Sequence, residues 1–175
     1  MNPAEMHAGS AMAQIGQRRR LKVSEIVVGA IATDARSFAE AGRRCIGEIK
    51  HGAIPGPMGP GIVCMSFAIE LWFKALGCLS DPQGDVPTGH DLLLLFNGLS
   101  QEIQDALIAR CGQPRAYFLS VLQQDAKTFE VWRYAYEQQA LQDSSDRLIG
   151  MFVHRLLIDT LPVACDQVYE DFKAS

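Results

Sequence analysis

Ser66, Glu70 and Lys74 recur at every fourth residue within a stretch that is otherwise almost entirely apolar from Ile62 to Leu79. On a helix this spacing stacks the three in one polar stripe. A hydroxyl, a carboxylate and an ammonium so arranged can hold a polar ligand, or they can simply brace one another. A charge taken out of water without a partner costs several kcal/mol, so Glu70 and Lys74 need hydrogen-bonding groups from other elements. His90, Asp91 and Arg133, with Tyr134, are the residues whose placement suits that task, and together they define an expected polar seam. Within it His90 faces a ligand or braces Glu70. Arg133 and Glu137, at i and i+4, form a helix-face ion pair, while Phe129, Trp132 and Tyr136 supply the apolar face that docks their helix.

The elements that must position this seam read as helices. Thr33 is expected to cap a helix running to about Lys50, which Gly52 and the turn-forming segment Pro55 to Gly61 then stop. Pro60 suits the first turn of the apolar helix, and Gly77 with Asp81-Pro82 marks its end. Thr88 is expected to cap a short helix, with Asp91 placed favourably at its positive end. Ser100 caps the next one, through about Arg110. Gly112 and Pro114 break the chain before a further helical stretch, which Asp125 to Thr128 interrupts ahead of Phe129 to Gln139. Asp143-Ser144-Ser145 opens a last segment from Arg147 to about Phe172, which Pro162 kinks or splits. The expected fold is all-α: an antiparallel bundle of four to five main helices with short extra helices. Residues 1–22 read as a flexible arm and 23–175 as a single domain.

Composition narrows the classes of function. The 175 residues are 48% hydrophobic and 21% charged, enough for one domain with a real core. A formal net charge of -4 argues against a generally basic nucleic-acid coat and leaves room for a local patch. Such a patch is offered by Arg36, Arg43 and Lys50, seven residues apart, with Arg44 beside them. This stripe can track phosphates, or it is a solvated face, since Glu40 and Glu48 are interspersed. The five cysteines are scattered among apolar neighbours without metal-ligand spacing and read as reduced core residues. The order of basic and apolar residues near the N-terminus does not suit a secretory leader. In the apolar run, Glu70 and Lys74 would each cost a bilayer roughly 2.5–3.5 kcal/mol, so it reads as a core helix. The expectation is a cytoplasmic protein without membrane, metal or cofactor, and no phosphate-loop, dinucleotide-binding or zinc-hydrolase motif is found.

The helix FAIELWFKALG (67–77), followed by GHDLLLLFNGL (89–99) and later by FEVWRYAYE (129–137), resembles the HEPN family, the higher eukaryotes and prokaryotes nucleotide-binding domain. The resemblance extends over roughly residues 33–161. It implies a bundle of four or five helices, frequent homodimerisation, and a role in RNA cleavage, nucleotide-related binding, or toxin and phage-defence systems. For the dimer, Met151, Phe152, Leu156 and Ile158 are candidate surface.

Nucleases of that family carry an Arg-x4–6-His motif. In it the His moves the proton of a 2′-hydroxyl or leaving group and the Arg holds the phosphate. Arg133 matches the family's Arg-Tyr position, but no His follows at the required distance. Arg147 and His154 do have six intervening residues, and at i and i+7 they return to one helix face about 10.5 Å apart along the axis. The run Leu148 to Val153 between them lacks the polar neighbour usual after the Arg and suits packing. The reading is therefore a non-catalytic HEPN-like module that binds RNA, a nucleotide or a protein partner. The alternative is a metal-independent endoribonuclease acting through Arg147 and His154.

Overall fold

A computed structural model describes residues 22–49, 58–126 and 156–174. These residues form an all-α bundle, with no strand among them beyond a single antiparallel bridge between Lys22 and Asp85. The first helix, α1, spans Glu25–Ile49 and the second, α2, Met58–Ser80. They run antiparallel: Cys45 and Ile46 lie opposite Gly61, Gly42 opposite Met65, Phe38 against Phe67, and Arg36 over Trp72. The two backbones come close because of Gly42 and Gly61. A methyl group at Gly42 would sit 3.1 Å from the carbonyl oxygen of Gly61, and one at Gly61 would sit 3.0 Å from Cys45 Cβ.

The start of α1 corrects one expectation. Ser24, not Thr33, is the cap: the Val27 amide donates to its hydroxyl at 3.3 Å. Thr33 lies two turns inside the helix, where its hydroxyl donates back to the Gly29 carbonyl at 2.8 Å. A Thr can satisfy its hydroxyl either way, and the apolar positions before it, Val28 and Ala32, already belong to the core face. Likewise α2 begins within the Pro/Gly segment, and Gly77 is inside it rather than at its end. Its missing side chain makes room for Pro87, since a Cβ there would stand 2.7 Å from the proline ring.

Four shorter helices complete the described part. Helix α3, Leu92–Asn97, is capped by Asp91, whose carboxylate accepts from the Leu94 amide at 3.0 Å; Thr88, the expected cap, lies before it in the loop. Ser100 caps α4, Gln101–Cys111, as its sequence pattern indicates. Pro114 precedes α5, Arg115–Gln124. A π-helical turn, Leu156–Thr160, leads into α6, Leu161–Ala174. The wide turn gives way to α-helix immediately before Pro162, which has no N–H to donate and is tolerated in a first turn.

Apolar on every side except the stripe of Ser66, Glu70 and Lys74, α2 is a core helix. Trp72 and Phe73 are fully buried, Trp72 against Tyr169 of α6 at 5.6 Å between ring centroids. Phe73, Phe96 and Phe118 continue the core through α3 and α5 with centroid spacings of 5.8 and 5.0 Å. By length and a mean hydropathy of 1.7, Pro60–Ser80 is apolar enough to cross a bilayer, yet 67% of it is buried by the chain's own helices. Leu156 and Ile158, proposed as dimer surface, are buried too. Leu156 joins the main core and Ile158 packs with Ala39, Ile46, Met65 and Ala68, because the apolar side chains of the π turn face inward. Met151 and Phe152 lie outside the described residues.

Candidate functional site

The polar stripe of α2 forms at the middle of the bundle. Ser66 is buried, Glu70 has no exposed side-chain surface, and Lys74 is 15% exposed. One turn apart, Lys74 Nζ donates to Glu70 Oε1 at 2.6 Å. The second partner comes from the α2–α3 loop. Ser80, the last residue of α2, ties that helix end to the cap of α4, its hydroxyl donating to the Leu76 carbonyl and accepting from the Ser100 amide at 3.1 Å. Gly89, at φ +99°, takes the left-handed backbone conformation that suits glycine and turns the chain just ahead of His90 and the Asp91 cap.

His90 Nδ1 lies 2.9 and 3.1 Å from the two carboxylate oxygens of Glu70. An ionised carboxylate can only accept, so Nδ1 carries the proton in this arrangement. The seam expected from the sequence pattern is therefore present for Glu70, Lys74 and His90. Asp91 takes the separate task of capping α3. The remaining seam residues, Arg133, Tyr134 and Glu137, lie outside the described residues, as do Arg147, His154 and Lys50.

His90, 42% exposed, stands at a cavity of about 320 Å³ lined also by Asp81, Asp85, Thr88 and Asp91. Three carboxylates line this cavity with His90, one of them, Asp85, paired with Lys22, and their charge favours a cationic or neutral polar group over a phosphate. A second cavity, of about 600 Å³, opens between the start of α1, the end of α2 and the end of α6. Val23, Ile26, Val28, Leu79, Pro82 and Phe172 line it, and Ile26 is 86% exposed.

The basic stripe meets carboxylates. Arg36 donates through Nε and Nη2 to Asp166 Oδ1 at 2.9 and 2.6 Å, and Nη2 also reaches Glu170. Its guanidinium lies 5.4 Å from the Trp72 ring centre and 5.8 Å from that of Tyr169. The hydrogen bond to Asp166 raises its pKa further, against the opposing effect of burial. Arg43 and Arg44 both pair with Glu40 at 2.9 Å, and the bond from Arg44, with the charge of Arg43, holds the Glu40 carboxyl below its ordinary range. Sequence reasoning did not find the acidic face of α6. There Asp166 and Glu170 clasp Arg36, and one residue on, Gln167 and Asp171 clasp Arg110 of α4. The i, i+4 repeat of these acceptors was a visible signal. Their arginines, 57 to 134 residues away, were not.

Among the described residues no three His, Cys, Asp or Glu side chains are grouped to hold a metal ion. Compared with protein-family models, with curated proteins and with solved structures, the chain finds no match.

Proposed function

We propose that the chain is a non-catalytic HEPN-like helical module whose ligand is a protein partner. One observation carries this reading above RNA or a nucleotide: the described cationic side chains are already committed within the molecule. Arg36, Arg43, Arg44, Arg110 and Arg115 each pair with a carboxylate, Lys22 pairs with Asp85 and Lys74 with Glu70, and Lys173 lies over the Tyr169 ring. Phosphate binding would have to compete with these contacts, least at the exposed Arg43 and Arg44 and most at Arg36, which lowers the number of cations free to release counterions. The apolar groove with the exposed Ile26 at its lip offers the kind of surface that protein recognition uses. The resemblance of residues 67–77 and 89–99 to the HEPN pattern supports the module class.

The test has two arms. In EDTA, purified protein should leave RNA intact and retain it weakly, with little change in Arg43→Glu. Cleavage that persists without metal and is lost in both Arg147→Ala and His154→Ala would replace this reading with the endoribonuclease one. In the second arm, a protein captured from native cells should be released by Ile26→Asp and kept by Arg43→Glu. The reverse pattern would move the interaction to the basic stripe.

A further inference from the structure

The five cysteines fall into two classes. Cys78, Cys111 and Cys165 are buried, and burial pushes the thiols of Cys78 and Cys111 up to about 11 and that of Cys165 upward as well. Such thiols are poor nucleophiles near neutral pH. Cys45 and Cys64 are only half-buried, and they sit on different helices at the closest part of the α1–α2 seam. Cys45 Cβ would stand 3.0 Å from a methyl group at Gly61, and Cys64 follows Gly61 by three residues, on the neighbouring turn of the same side. The flank is fixed by a second pair: Phe38, two turns before Cys45, meets Phe67, one turn after Cys64, edge to face at 4.7 Å. The glycines that bring the backbones together thus place two half-buried cysteines across one seam.

We infer that Cys45 and Cys64 form a reversible disulfide that locks the end of α1 to the start of α2, with a low-molecular-weight disulfide as oxidant. The Cys45 thiolate attacks one sulfur of the oxidant, whose S–S bond breaks and whose other half leaves as a thiolate and takes up a proton. Cys64 then loses its proton and attacks the Cys45 sulfur of the mixed disulfide, releasing the second small thiol. Two electrons pass from the protein to the oxidant, one S–S bond is lost and one is gained. Burial first, and then the nearby sulfur of Cys45, push the Cys64 thiol up, which agrees with the two cysteines facing one another.

The test uses the full chain and oxidised glutathione. Thiol titration under denaturing conditions should fall from five to three, the intact mass should show no adduct, and peptide mapping should recover Cys45 joined to Cys64. Dithiothreitol should restore all five thiols. Cys45→Ser should block the cross-link, while Cys78→Ser, if folded, should not affect it. A wild-type protein that keeps five thiols, carries a lasting glutathione adduct, or forms disulfides only between molecules would overturn the proposal. Mapping of the unmodified chain decides the matter even where a variant fails to fold.

Discussion

Glu70 and Arg36 each hold two polar partners, Glu70 as the acceptor and Arg36 as the donor. Glu70 receives Lys74 and His90 at the centre of the bundle, where its side chain has no solvent contact. Arg36 donates to Asp166 and Glu170 on the outer faces of α1 and α6, where it remains 42% exposed. The donor and acceptor chemistry is similar and the distances overlap, yet the weights differ. Water screens the Arg36 clasp and would solvate its members if they parted. The Glu70 seam has no such recourse, so losing one partner strands a buried charge. Burial, more than the number of contacts, decides which cluster the fold depends on.

The largest effect should come from breaking the seam on one side. Glu70→Ala should lower unfolding stability by about 3–5 kcal/mol, because Lys74 is left behind with little solvent contact. The double substitution Glu70→Leu/Lys74→Met should cost clearly less than Glu70→Ala alone, since it removes both charges together. Denaturant titration of the three proteins checks this ordering, and a double variant as unstable as the single one would show that the seam is not a coupled pair.

Alkaline titration separates interior from surface next. The unfolded thiols of Cys78 and Cys111 ionise from about pH 9, whereas the folded ones hold their protons up to about 11. Their folded-state pKa is raised, so their contribution is fully present below about pH 9 and is lost as pH rises towards 11. The loss should be of order 1–3 kcal/mol per thiol. Over that window the Arg36 clasp stays charged, because Asp166 holds the guanidinium pKa above its already high ordinary value. Cys78→Ala and Cys111→Ala should flatten the decline in stability measured between pH 9 and 11, and an unchanged slope in both would assign the decline to other groups.

Removing the clasp should matter less. Arg36→Ala is expected to cost about 1–2 kcal/mol, combining the two half-exposed ion pairs with contact to the Trp72 and Tyr169 rings. Raising salt from 0.1 to 1 M shortens the Debye length from about 10 to about 3 Å, so the coupling between Arg36 and Asp166 should shrink. The Glu70–Lys74 coupling should persist. Double-mutant cycles at both salt concentrations make the comparison, and equal salt sensitivity would remove the distinction between the two clusters. The smallest effect belongs to Arg44→Ala. It breaks an exposed i, i+4 pair with Glu40 and should leave thermal and denaturant stability almost unchanged.

The grouping of Glu70, Lys74 and His90 is legible in the sequence, for a definite reason. A carboxylate and an ammonium one turn apart in an apolar helix must be paired, and few polar residues were available to pair with them. His90 was therefore recoverable as the brace of Glu70. Ser100 was recoverable as a cap because its hydroxyl precedes a helical pattern without competition. Thr33 and Thr88 misled for the opposite reason: each is a sound cap in isolation, but Ser24 and Asp91 lie nearer the points where the core face begins. The two half-buried cysteines were likewise indistinguishable from the three buried ones, since all five have apolar neighbours in sequence.

By itself, the sequence determined that the chain is helical, that the helix through Glu70 is the central one, and that its stripe must be satisfied internally. These follow from local periodicity and from the cost of burying charge, both of which act within a few residues. The tertiary structure decided which cations stay available. Arg36 and Arg43 share a seven-residue spacing that suits a phosphate track, but Arg36 is claimed by Asp166 and Glu170, 130 and 134 residues away. Likewise, only the close approach at Gly42 and Gly61 sets Cys45 and Cys64 apart from the other thiols. Contacts of that separation depend on how the helices pack, and helix packing is settled by the whole core rather than by any short stretch of chain.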